Sequence, residues 1–156
     1  MINRLPLLSV ISAACLLSLS CGLSGNTPPA LLSSYKVEWV DKQVPAEMQA
    51  GKDYIISATI KNLGDATWPW TLNGRGRVHI SYHWAAQGGN VVVWDGTRSG
   101  LPHDIAPGET FTANDIHVTA PKEPGSYQLQ LTLVHDPVAW FDQKGAAPLA
   151  VPVKVN

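Results

Sequence analysis

Ala120-Pro121-Lys122-Glu123-Pro124-Gly125-Ser126-Tyr127-Gln128-Leu129 is the stretch that decides the fold. A Pro-Gly turn delivers the chain into Tyr127, and from Tyr127 to Val134 apolar and polar residues alternate. A period of two is the mark of a half-buried strand, because successive side chains point to opposite faces. A tyrosine just past such a turn, at the head of such a strand, matches the tyrosine corner. There the phenol closes a hydrogen bond to backbone a few residues upstream and pins one end of a two-sheet sandwich. Tyr127 is therefore a marker of the fold and not a site residue.

The same period extends in both directions. Val37 and Trp39 alternate with Lys36 and Glu38; Tyr54, Ile56, Ala58 and Ile60 with Ile55, Ser57, Thr59 and Lys61; Val78, Ile80, Tyr82 and Trp84 with Arg77, His79, Ser81 and His83. Asn90 to Trp94 is a short apolar strand entered through Gly88-Gly89, a hairpin signal. Phe111 to Val118 and Leu149 to Val155 complete the set, and Pro45, Gly51, Gly74, Gly96, Gly100, Pro107-Gly108 and Gly145 punctuate it. No window sustains a helical period. Residues 35–156 are expected to form one all-β domain, an Ig/fibronectin-III-like antiparallel β-sandwich of seven to eight strands.

The N-terminus points to export. Arg4 sits in a short charged start, and Leu5 to Ser20 is apolar apart from Pro6 and small serines, as in a secretory signal. Leu17-Ser18-Leu19-Ser20-Cys21-Gly22 resembles the lipobox of bacterial lipoproteins, with Ser18 where leucine is usual. The resemblance implies a signal peptide over 1–20 and acylation of Cys21. It also implies stable membrane attachment, since such lipoproteins carry two or three acyl chains and one alone holds only marginally. Gly22 in place of aspartate after the cysteine implies, in a Gram-negative cell, the outer membrane facing the periplasm. Residues 21–34 are small, polar and proline-containing, a tether whose Gly22–Ser34 part spans at most about 45 Å.

Both cysteines, Cys15 and Cys21, lie in this leader, so the domain has no disulfide and its core must suffice. The chain has 11 basic and 12 acidic residues; without Arg4 the balance is 10 minus 12, or −2. A weakly acidic chain without basic runs speaks against nucleic acid as partner.

Ile60-Lys61-Asn62-Leu63-Gly64-Asp65-Ala66-Thr67-Trp68-Pro69 is similar to the N-x-G…W-P signature of the Ig-like domain in the selective-autophagy receptor "next to breast cancer gene 1". Ser81-Tyr82-His83-Trp84, Trp94-Asp95-Gly96-Thr97-Arg98, Leu101-Pro102, Ala106-Pro107-Gly108-Glu109 and Trp140-Phe141 resemble bacterial modules of that group, often appended to glycosyltransferases and methyltransferases. The resemblance covers most of Tyr35 to Val155. It implies an Ig-like sandwich acting as an accessory or interaction module, and it carries no chemistry of its own.

Catalytic constellations find little support. Ser99 stands outside any G-x-S-x-G elbow, and no cysteine remains in the domain for nucleophilic work. His79 and His83 share a strand face, but four residues at about 3.3 Å each put them about 13 Å apart, too far for one zinc. His103-Asp104 and His135-Asp136 are loop pairs that gain meaning only if folding joins them. The expectation is no enzyme, no metal and no cofactor.

The aromatics are the stronger signal. Six tryptophans is rich for this length. Trp39 and Trp84 take inward strand positions, each worth at most about 4–6 kcal/mol of burial. Trp68 and Trp70 flank Pro69 in a turn, and Trp94 and Trp140 lie at strand ends beside Asp95 and Phe141. These four either lid the core or form a stacking platform. Asp95 and Arg98 either pin a turn or rim a ligand site. The resulting expectation is a lipid-anchored envelope module that binds a glycan or protein through Trp68, Trp70, Trp94, Asp95, Arg98 and Trp140. The alternative is a subunit, chaperone or inhibitor acting by edge-strand addition.

Overall fold

A computed structural model describes residues 32–72 and 76–156; the signal segment, Cys21 and most of the tether fall outside the described residues. The domain is a β-sandwich. One sheet holds β1 (Val37–Gln43), β3 (Asp53–Asn62) and β7 (Thr110–Thr119) in that order. The other runs β2 (Glu47–Met48), β10 (Leu149–Val155), β8 (Gly125–Asp136), β4 (Arg77–Ala86) and β5 (Val91–Val93). To it β6 (Ser99–Gly100) adds on β4 and β9 (Ala139–Trp140) on β8. The expected all-β sandwich is thus what the chain forms. Among the described residues the strand segments number ten, because β2, β6 and β9 are two-residue pairings too short to leave a period in the sequence. One pairing, β2 with β10, is parallel. After β1 the chain leaves the first sheet at Val44-Pro45, where proline has no N–H to continue a ladder, and joins the second.

The core follows the alternation. Val78, Ile80, Tyr82 and Trp84 from β4, Leu129, Leu131 and Leu133 from β8, and Val151, Val153 and Val155 from β10 face Ile56, Ala58, Ile60, Phe111, Ala113, Ile116 and Val118. A register shift between Ile56 and Ala58 against β7 keeps both sides apolar across a bulge: Asn114 and Asp115 are both exposed while Ala113 and Ile116 are both buried. Where a disulfide is missing, side-chain hydrogen bonds cross between the sheets. The Trp84 indole donates to the Thr119 carbonyl at 2.9 Å, and the Tyr82 hydroxyl accepts from the Thr119 amide at 2.9 Å. The Tyr127 hydroxyl donates to the Glu123 carbonyl at 2.9 Å, closing the tyrosine corner, and its ring meets Trp84 edge-on at 6.1 Å.

The Asn62–Pro69 motif is structural. Asn62 is buried; its amide donates to the Ala66 and Ile105 carbonyls, both at 3.0 Å, and its carbonyl accepts from the Gly64 amide at 2.8 Å. A side chain at Gly64 would stand 2.8 Å from the Ser34 carbonyl, so the turn needs glycine there. Packing also begins earlier than Tyr35. Leu32 is buried in the core, while the Ser33 hydroxyl and Ser34 amide both donate to Asp65. The last residues assigned to the tether therefore belong to the domain. Among the described residues no helix is long and apolar enough to cross a membrane.

Candidate functional site

β4 is buried along almost its whole length on both faces. Alternation assigns Arg77, His79, Ser81 and His83 to an outer, solvent-facing side, yet His79, Ser81 and His83 are buried. Two segments cover them. The first is Trp94–Gly100, which leaves β5 and returns along the edge of β4; the second is Ala139–Lys144, comprising β9 and a single 3-10 turn at Asp142–Lys144.

The first segment lies tight on the strand. The Gly96 amide donates to the Tyr82 carbonyl at 3.0 Å and the Ser81 hydroxyl donates to the Gly96 carbonyl at 2.9 Å. A Cβ at Gly96 would come within 2.6 Å of the Tyr82 carbonyl oxygen, so only glycine allows the approach. Because Val93 pairs with Trp84, the next residue, Trp94, arrives over His83. The two rings stack with centroids 4.1 Å apart and planes within 10°. His83 Nδ1 donates to the Trp94 carbonyl, which can only accept and so defines the tautomer. His83 Nε2 lies 3.4 Å from Asp142 Oδ2, within ion-pair reach but without hydrogen-bond geometry.

The second segment brings Trp140. It tilts against His83 at 4.6 Å and against Trp94 at 5.8 Å and 57°. The Arg98 guanidinium sits over the Trp140 ring, 5.0 Å from its centroid, a cation–π contact. Arg98 also donates to Asp95 through Nη1 and to Asp136 through Nε at 3.2 Å. His79 Nδ1 is 3.1 Å from the same Asp136 carboxylate. Burial opposes ionisation of Asp136, but the Arg98 hydrogen bond and charge, with His79, outweigh it and hold its pKa below the ordinary carboxylate value. His79 moves down as well: burial and the Arg77 charge lower its pKa against the pull of Asp136.

Four of the six residues singled out in the sequence thus meet on one face: Trp94, Asp95, Arg98 and Trp140. Trp68 does not. It is fully buried, bridged backbone-to-backbone with Ile105 and packed edge-on against Phe141 at 5.4 Å, so it is a core residue and not a ligand contact. In the sequence Trp68 stands in a turn beside Pro69; its pairing with a segment 37 positions away sends it inward. Trp70 is exposed at 47 % but sits elsewhere, its amide bonded to Asp104 beside the start of β4. Trp39 is half-buried on the first sheet, with its indole on the Ala147 carbonyl at 3.3 Å. His103 pairs with Glu109 at 2.6 Å, which with Asp104 ties loops together. No group of three or more His, Cys, Asp or Glu among the described residues is placed to hold a metal.

Residues that the sequence concealed complete the site: His83 beneath Trp94, Asp136 behind Arg98, and Asp142 beside His83. Of these, only Asp142 has a local signal, since burying Phe141 leaves both its neighbours, Trp140 and Asp142, beside His83.

No family model and no curated protein matches the chain. Among solved structures it is similar to the β-glucosidase from Listeria innocua, in a complex with glucose and in a mutant complexed with laminaribiose. In both the identity is 14 %, the TM-score 0.41, and the match covers 77 % of this chain and 16 % of that one. The chain therefore spans a small part of that enzyme's length.

Proposed function

We propose that this protein is a non-catalytic envelope lipoprotein, held to a membrane through acylated Cys21, whose Ig-like module binds glycan at the Trp94–Trp140 face. One observation carries the reading. Trp94 remains 44 % exposed while His83 backs one face of its ring and fixes its plane. A large apolar ring held rigid at the surface, with Asp95 and Arg98 beside it, suits a pyranose. The C–H face of the sugar packs on the indole, and its hydroxyls hydrogen-bond to the charged rim. The same four residues lie in motifs that resemble those of bacterial accessory modules. The lipobox-like Leu17–Cys21 stretch and the short tether are consistent with a module presented close to a membrane or cell wall.

Pulldown on insoluble cell-wall and capsular polysaccharides tests this. Retention of the wild type and of Trp70→Ala, with loss for Trp94→Ala, supports the site; equal retention of all three excludes it.

A second reading has its own observation. β5 is an edge strand with Val91 and Val92 exposed, next to a groove of ≈ 450 Å³ formed by Val92, Val93, Pro121 and Tyr127. An extended partner segment adding to that edge would bury them. Val92→Pro would then abolish partner binding and Trp94→Ala would not.

A further inference from the structure

We infer that the Trp94 face selects a single, uncharged pyranose unit and discriminates against acidic sugars; this rests on the glycan reading above and names the ligand class for that site.

The size follows from the rings. Trp94 and Trp140 are 5.8 Å apart, centroid to centroid, and touch each other, so they cannot each carry a separate sugar. Their 57° tilt forms a corner, not a flat strip. Trp140 has His83 against it and Arg98 over it, which makes it a wall; Trp94 keeps the open face. One stacking surface with one wall is a single subsite, matched to a chain end or one residue of a chain.

The selectivity follows from charge. Arg98 is the cation that lies over the Trp140 ring, and it is already shared. Nη1 goes to Asp95, and Nε and Nη2 go to the two oxygens of Asp136, at 3.2 and 3.4 Å. Asp136 stays ionised because Arg98 and His79 hold it so. Asp142 adds a third carboxylate behind His83, and Arg77 is the further cation that acts on His79. A uronate, sulfate or phosphate entering here would meet the exposed carboxylate of Asp95, and the guanidinium charge that could attract it is already balanced by Asp95 and Asp136. Neutral hydroxyls meet no such repulsion. Asp95 accepts from one hydroxyl and the Arg98 edge donates to its neighbour, which is the pattern of a vicinal diol.

The test is titration of the full chain, followed by calorimetry, with methyl β-glucoside, N-acetylglucosamine, their pentamers and glucuronate. A neutral sugar is expected to bind, with its pentamer within about threefold of the monomer and glucuronate weaker by about tenfold or more. The charge gap should narrow in high salt and in Asp95→Asn. Glucuronate binding as well as the neutral sugars, or a pentamer far tighter than its monomer, overturns this inference while leaving the glycan reading standing. Failure of every sugar, with Trp94→Ala indistinguishable from wild type, overturns the glycan reading and this inference with it.

Discussion

His83 lies flat beneath Trp94, 4.1 Å away and within 10° of parallel, with only 1 % of the histidine exposed. The pair divides labour. His83 is held by the Trp94 carbonyl and flanked by Trp140, and its ring gives the indole a rigid floor. Truncating the upper ring should therefore cost binding, whereas truncating a tryptophan inside the sandwich should cost the fold. Trp94→Ala is expected to lose glycan binding with a stability change below about 2 kcal/mol, and Trp68→Ala to lose about 3–5 kcal/mol. Urea denaturation of both variants, monitored by far-UV circular dichroism, measures the difference.

Asn62 satisfies three backbone groups at once, the Ala66 and Ile105 carbonyls and the Gly64 amide. Asn62→Ala strands them in a buried setting, at about 1–3 kcal/mol for each group that finds no water. The expected result is a loss of several kcal/mol or failure to fold. Asn62→Asp should also destabilise, because it keeps the acceptor for Gly64 and turns the donor into a charge facing two carbonyls. Denaturant midpoints of the two variants check this.

Tyr127→Phe removes only the hydroxyl that donates to Glu123. The ring still meets Trp84, so the loss should be about 0.5–1.5 kcal/mol with unchanged far-UV dichroism. A neutral substitution would mean the corner is held by the Pro124-Gly125 turn alone.

The site makes stability depend on pH with one sign. His79 has its folded pKa below the unfolded value of 6.5, so the neutral form is favoured by folding. Its contribution is complete above that value and is lost as pH falls through it towards the folded pKa. Asp136, also lowered, from 3.8, contributes stability above that value that is lost in stronger acid. Melting temperature is expected to fall as pH drops from neutral through 6.5 and below. His79→Gln should flatten that first decline and leave the Asp136 decline below it. A melting temperature that rises over the same interval contradicts the arrangement.

Acylation of Cys21 predicts a mass increment of two or three acyl chains and recovery in the membrane fraction, both abolished by Cys21→Ala. Intact-mass spectrometry of the protein from a bacterial host reads this directly, and an unmodified soluble protein refutes the anchor.

What the sequence made legible was whatever is decided over a few neighbouring residues. The alternation in β3, β4 and β8, the Pro-Gly turn before Tyr127 and the Asp95–Arg98 pairing across a tight turn are all local, and the fold class follows from them. What escaped is set by distant returns of the chain. The polar side of β4 reads as solvent-facing, but Trp94–Gly100 and Ala139–Lys144 come back over it and bury His79, Ser81 and His83. Trp68 reads as a loop residue until Ile105 pairs with it. Trp70 and Trp94 look like members of one platform because one stands in a turn and the other at a strand end. They lie beside opposite parts of β4, near Val78 and His83, five residues or about 16 Å apart along the strand.

The most direct test is a two-dimensional 1H–15N spectrum of the indole region, in which each of the six tryptophans gives its own N–H signal. The full chain is titrated with a neutral monosaccharide. Glycan binding at the proposed face predicts saturable shifts of the Trp94 and Trp140 signals, while those of Trp68, Trp84 and Trp70 stay in place. No shift in any signal, or a shift confined to Trp70, would contradict it.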